Sequence, residues 1–248
     1  MKILKYVIIL IFTFLLIPEE VLAQLRITER GTFTYRKVGI HRGNQVRTIF
    51  YNYGVIAQPG DQGPRGAWKF DANGYVGDVS PIVAVRLPIM DLNNDGRIDT
   101  AYSAIVTPVS RPGGGDFGPG GQFWGFEPIP GFANETLNEP GKGVAMSNQP
   151  ETWPSRWPDC PTWNCTGEPI IVGGGDKTPL VDWNGYFGRG QISADQESYF
   201  WMDDHADQKM FTRWGFRPDS QDTNRRGQGL QVNVRGLQWS NFLAQNVI

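Results

Sequence analysis

Polar and apolar residues alternate, in part, along Arg26-Ile27-Thr28-Glu29 and Thr32-Phe33-Thr34-Tyr35, the period of a half-covered strand. The run from Val46 to Tyr51 is β-branched and aromatic, and Ile82 to Leu87 is almost continuously apolar, as in a strand covered on both faces. Asn73-Gly74 predicts a two-residue hairpin turn. Ser198 to Met202 and Leu230 to Val234 complete the strand candidates. Helical periods of useful length are hard to find after residue 24, and no fixed-period repeat points to a solenoid or propeller.

Between Ser110 and Val181 the alternation is lost. RPGGGDFGPGGQ is a Gly/Pro loop, and prolines recur from Pro128 to Pro169, each removing a backbone donor and biasing its predecessor to extended geometry. Long helices are excluded there. The same stretch holds Phe123, Trp124, Phe126, Phe132, Trp153, Trp157 and Trp163, whereas a disordered linker is poor in aromatics. The expectation is a mainly β fold: an antiparallel sheet or sandwich-like scaffold carrying a long Gly/Pro/Trp-rich irregular layer.

The N-terminus reads differently. Lys2 and Lys5 precede an apolar run of twelve residues from Tyr6 to Ile17, broken only by Thr13. A bilayer span needs about 20 residues. Pro18, Glu19 and Glu20 follow, and Val21-Leu22-Ala23 offers a cleavage context before Gln24. This pattern predicts a secretory signal peptide over residues 1–23, with an uncleaved anchor as the alternative. The product would be a single β-rich exported domain over 24–248, secreted or at the cell surface, with no membrane attachment after cleavage. The closing WSNFLAQNVI is apolar, which fits either a terminal strand held in a sheet or the N-terminal part of a longer protein.

Composition narrows the function classes. A chain of 248 residues that is 40% hydrophobic, with a formal net charge of -2, is neither collagen-like nor strongly disordered, and it lacks the basic surplus of a general nucleic-acid binder. The only cysteines, Cys160 and Cys165, are close enough for a disulfide in an oxidising compartment. Zinc is the alternative, but it would need further ligands, and His41 and His205 are remote in sequence.

One motif carries a mechanism. Asp91-Leu92-Asn93-Asn94-Asp95-Gly96-Arg97-Ile98-Asp99 follows the pattern D-x-N-x-D-G-x-x-D. Calcium takes six to eight oxygens, and alternate side chains of a tight loop can converge on one ion. Asp91, Asn93 and Asp95 would supply side-chain oxygens, Arg97 its backbone carbonyl, and Asp99 a closing carboxylate directly or through water. The loop resembles the EF-hand-like calcium loops of dockerins, thrombospondin type 3 repeats and integrin-type propeller repeats. Tyr102 stands where a full EF-hand has a bidentate Glu, and the flanks IVAVRLPIM and TAYSAIV look like strands, so a structural strand-loop-strand staple is expected. The alternative is an Asn/Asp/Gly turn without metal.

Other constellations are weaker. Asp195, Glu197, Asp203, Asp204 and Asp207, with His205 among them, would suit a secreted polysaccharide hydrolase if two carboxylates flanked a cleft, and are otherwise a strand running into an acidic turn. No G-x-S-x-G nucleophile motif occurs. Nine tryptophans invite glycan stacking; Trp153, Trp157, Trp163, Trp183, Trp201 and Trp214 are the candidates, with Trp153, Trp157 and Trp163 of the proline-rich layer preferred as a platform, although Trp is also an ordinary β-core residue. The expected partner is an extracellular glycan or surface component, with no catalytic residue assigned.

RTIFYNYGVI (47–56), YVGDVSPIV (75–83), GVAMSNQPETWPSRWPD (143–159), WNGYFGRGQISADQESYFWMDD (183–204) and RRGQGLQVNVRGLQWSN (225–241) together resemble the N-terminal region of a group of large exported, uncharacterised bacterial surface proteins. The resemblance implies an N-terminal ectodomain followed by sorting or adhesive modules, and it brings no catalytic residue with it.

Overall fold

β-branched and aromatic runs need a partner for one or both faces, and two antiparallel sheets supply it. The computed structural model describes residues 29–57, 63–71, 73–90, 95, 98–107, 125–159, 183–208 and 217–246. The first sheet has the order β1-β2-β3, formed by Val38–His41, Val46–Tyr51 and Ala67–Trp68. The ribbon β4 (Val83–Met90) and β5 (Ile98–Thr107) pairs only with itself among the described residues. Two short strands follow, β6 (Glu127–Pro128) and β7 (Ala145–Met146), then the hairpin β8 (Asn184–Gly185) and β9 (Gly188–Arg189). The second large sheet is centred on β10 (Gln196–Asp203), which pairs with β11 (Gln231–Gln238) on one side and with β6 and β7 on the other.

The two sheets face each other, as a sandwich-like scaffold requires. Phe50 of β2 stacks on Phe200 of β10 with ring centroids 6.3 Å apart. Around them Tyr53, Val55, Phe126, Val144, Met146 and Met202 form the inter-sheet core. Gly39 lies across from Phe50 in the β1–β2 register, and a Cβ there would stand 2.4 Å from the ring's Cζ, so the glycine is where the ring sits. The other face of β10 is covered by the irregular layer, whose Ile129, Phe132 and Trp157 cluster with Trp183 and Tyr199. β10 is therefore buried on both faces.

Polar side chains tie the sheets at one end. Gln196 and Gln238 are register partners on β10 and β11. Both reach the β1–β2 turn: the Arg42 amide donates to Gln196 Oε1 (2.6 Å) and the Gly43 amide to Gln238 Oε1 (2.7 Å). Near the other end of β10, the Arg36 guanidinium makes a two-pronged ion pair with buried Glu127, at 2.8 and 2.6 Å.

Two local expectations are corrected. Thr32 to Tyr35 is not a strand; Phe33–Tyr35 is a single 3-10 turn, closed by Tyr35 N–H to Thr32 O and Arg36 N–H to Phe33 O. The turn lies beside β6, whose Pro128 carbonyl accepts from the Thr32 amide at 3.1 Å, and it delivers Arg36 to Glu127. Asn73-Gly74 is not a two-residue hairpin turn either. β3 pairs back onto β2, and Val76 N–H reaches Arg65 O, so Asn73 and Gly74 lie inside a wider loop. The loop-rich reading of the proline segment holds for residues 125–159, where the regular structure is limited to β6, β7 and a 3-10 turn at Pro150–Thr152.

Candidate functional site

The outward side of β10 is set by the strand's two-residue period, which puts Glu197, Tyr199, Trp201 and Asp203 together. At its centre is Tyr199, 1% exposed, whose hydroxyl donates to Asp159. The same oxygen accepts from Trp201 Nε1 (2.6 Å) and Asn233 Nδ2 (3.0 Å). Asp159 also accepts from Trp201 Nε1 (3.2 Å) and from Asn184 Nδ2 (3.0 Å). Arg235 lies over the Tyr199 ring, its guanidinium carbon 3.8 Å from the centroid, and donates to the Asn184 carbonyl at 2.6 Å. Burial, followed by the Asp159 charge, pushes the Tyr199 hydroxyl above its ordinary range, so it stays a proton donor.

The rim of this network is open. Trp201 is half-buried and Asn233 exposed. The β8–β9 hairpin, tied in through Asn184, projects Tyr186 and Phe187 at its tip, 69% and 73% exposed, with their rings edge to face at 5.0 Å. Aromatic rings beside fixed amide, carboxylate and guanidinium groups can take an apolar sugar face and its hydroxyls together. Sequence reading missed Tyr186, Phe187, Asn233 and Arg235. The available signal was the two-residue tip between the glycines of Asn184-Gly185-Tyr186-Phe187-Gly188-Arg189.

Of the three preferred glycan-contact tryptophans, Trp157 is corrected. It is 1% exposed, edge-on to Trp183 at 5.6 Å, so its faces are spent on packing. Trp153 is half-buried, donating from Nε1 to Met146 O at 2.6 Å. Trp163 lies outside the described residues, as do Cys160, Cys165 and residues 1–23.

The carboxylates of 195–207 hold the fold. Glu197 is 0% exposed and accepts from Trp183 Nε1 (2.7 Å), from the amides of Ser193 (2.5 Å) and Ala194 (3.1 Å), and from Ser193 Oγ (2.8 Å). Burial alone would raise its pKa; those donors outweigh burial and hold the carboxyl below the usual range. Exposed Asp195 caps Ser240 through its amide (2.6 Å) and hydroxyl (2.9 Å). Asp203 accepts from the amides of Gly31 and His205, both at 3.1 Å. Asp204 accepts from the amides of Gln228 (2.6 Å) and Leu230 (2.8 Å), fastening the loop that leads to β11. Burial raises both of these carboxyls, against their amide bonds. Asp207 is buried, and its backbone carbonyl takes the Gly227 amide at 2.8 Å. His205 is half-buried beside them, its pKa lowered first by burial.

The flanks of the expected calcium loop are the strands β4 and β5, with Met90 opposite Ile98. Asp91, Asn93 and Arg97 lie outside the described residues, Asp95 is exposed, and Asp99 is placed on β5 by its backbone. Among the described residues no group of three or more His, Cys, Asp or Glu is arranged to hold a metal ion. The chain matches no family model, no curated protein and no solved structure.

Proposed function

We propose that this chain is a non-catalytic module of an exported or cell-surface protein, contacting an extracellular glycan through the outer face of β10 and β11. The observation that carries the reading is the Tyr199 network, which fixes half-buried Trp201 and exposed Asn233 at the rim of a polar-aromatic face. Glycosidic hydrolysis needs two carboxyl groups flanking a bound sugar. Here the carboxylates of Asp195, Glu197, Asp203 and Asp204 accept from backbone amides and anchor loops, which favours binding over turnover. Glycan-array binding tests the reading. Trp201→Ala and Asn233→Ala are each expected to weaken the best array hit at least tenfold, and equal binding by both variants would remove this face as the contact.

The Asp91, Asn93, Asp95, Arg97 and Asp99 loop supplies a structural calcium in this reading, closing the β4–β5 ribbon. Extracellular calcium modules bind with dissociation constants of about 0.1 to 1 mM. At tenfold saturation the bound ion would add about 1.4 kcal/mol of stability. Melting with calcium and with chelator is expected to separate the two curves; coincident curves would count against the site. Export through a cleaved signal over residues 1–23 predicts a mature N-terminus at Gln24, read by N-terminal sequencing.

A further inference from the structure

Arg36 and Arg235 both lie over tyrosine rings, and they differ in what their side-on edge meets. The Arg36 guanidinium carbon stands 4.4 Å from the centroid of Tyr53 and 4.8 Å from that of Phe33, and its Nε and Nη2 grip Glu127 at 2.8 and 2.6 Å. Arg235 sits closer to its ring, 3.8 Å from the centroid of Tyr199, and is held a second time where Nη1 donates to the Asn184 carbonyl at 2.6 Å. Its Nε and Nη2 donate to no described residue, and neither nitrogen is shut away from solvent.

That edge is the one with which a guanidinium takes a carboxylate, two parallel N–H groups against two oxygens. In Arg235 it is already oriented: the Tyr199 ring fixes the plane and the Asn184 carbonyl fixes the rotation within it, so little freedom is left to lose on binding. Asp159 does not occupy it. The Asp159 oxygens accept from Tyr199, Trp201 and Asn184, and they make no ion pair with Arg235.

The register sets what lies beside this edge. Asn233 and Arg235 stand two residues apart on the same side of β11, opposite Trp201 and Tyr199. Two residues of strand advance about 7 Å, within the reach of one sugar ring and its substituent. A ring laid against Trp201 with its hydroxyls on Asn233 therefore brings a carboxyl substituent to Arg235. The formal net charge of -2 gives the chain no general pull on polyanions, so a preference for an acid has to be local.

We infer that the outer face of β10 and β11 reads an acidic sugar, a uronate whose ring lies against Trp201 and whose carboxylate is taken side-on by Arg235. The inference rests on the glycan reading of that face and names the sugar class it takes.

The probes are oligogalacturonate and oligomannuronate, each beside its methyl ester, titrated calorimetrically against the full chain at neutral pH. The ester keeps the ring and loses the charge. At least one acid is expected to bind at least tenfold tighter than its ester, a ratio measured on the parent chain without need of a variant. Arg235→Gln should abolish that ratio, and Arg235→Lys, which keeps the charge without the fork, should lose most of it. Asn233→Ala should weaken acid and ester alike and preserve the ratio. Equal binding of acid and ester by the parent chain, binding of neutral glycans only, or an acid preference that survives in Arg235→Gln would overturn the assignment while leaving the face a glycan contact. Absence of binding to every glycan, neutral ones on the array included, would remove the glycan reading and this assignment with it.

Discussion

The two faces of β10 solve burial in opposite ways. Inward, Ser198, Phe200 and Met202 meet Gly236, Val234 and Val232 across the register, and apolar contact dominates except at the end where Gln196, Gln238 and the His41–Ser198 pair gather. Outward, Glu197, Tyr199 and Asp203 are as buried as any core residue, yet polar. Their donors arrive from Trp183, Gly31, Trp201 and Asn233, while Ile129, Phe132 and Trp157 of the proline-rich layer supply the apolar cover. A strand does not need an apolar face to be central. It needs donors for the polar groups on that face: Glu197 and Tyr199 have them, and Asp203 has them on Oδ1, its buried Oδ2 having no partner among the described residues.

The strongest way to break this contrast is on the outer face. Glu197→Ala strips the acceptor from Trp183 Nε1 and the Ala194 amide, both buried, and each orphaned donor costs about 1 to 3 kcal/mol. A loss of about 4 kcal/mol is expected from the urea midpoint at constant m-value. Glu197→Gln, which keeps an acceptor oxygen, should lose less.

The inner face should respond to pH instead. Burial pushes His41 from the ordinary 6.5 down to about 4. A depressed histidine gives stability that is whole above pH 6.5 and is lost as pH falls toward 4, because the unfolded chain takes the proton first. At about 1.4 kcal/mol per pKa unit the loss is about 3 kcal/mol over that window. Asp203 and Asp204, raised by burial, act with the opposite sign: their contribution is whole below the ordinary aspartate pKa of 3.8 and lost as pH rises through their folded values. Comparing unfolding of the parent chain and His41→Gln from pH 7 to 4 isolates the histidine. A variant whose stability falls as steeply as the parent's would show that His41 is not the titrating group.

The smallest effect is expected two residues from the largest. Asp195→Ala removes the exposed cap on Ser240 and should shift the melting temperature little. A shift comparable to that of Glu197→Ala would erase the distinction between the solvent-facing acid and the buried one.

The strands were readable where side-chain type alone decides them. Val46 to Tyr51 matches β2, and the candidates at 198–202 and 230–234 fall on β10 and β11, because β-branched and aromatic alternation is a local property. The β4 and β5 flanks of the acidic loop were readable for the same reason. The roles of the acids were not. Asp203 is held by Gly31, 172 residues away, and Glu127 by Arg36, 91 residues away, so no window of sequence contains both partners. Thr32 to Tyr35 misled in a related way: its alternation is strand-like, but it closes as a 3-10 turn whose Thr32 amide is held by the distant Pro128 carbonyl. The rim of the outer face was hidden because Trp157 and Trp201 are indistinguishable by residue type, and only the layer above them settles which ring is spent on packing.

The clasp between the sheets sets the order in which this molecule can form. The amides of Arg42 and Gly43, in the first hairpin, depend on Gln196 and Gln238, across 154 and 195 residues of chain. Closing loops of that length precedes the contacts that reward it, so folding belongs to the slow, non-local class in which milliseconds to seconds are ordinary. The first hairpin to be synthesised is thus among the last elements to be completed. Until β10 and β11 arrive, those two amides lack their protein acceptors.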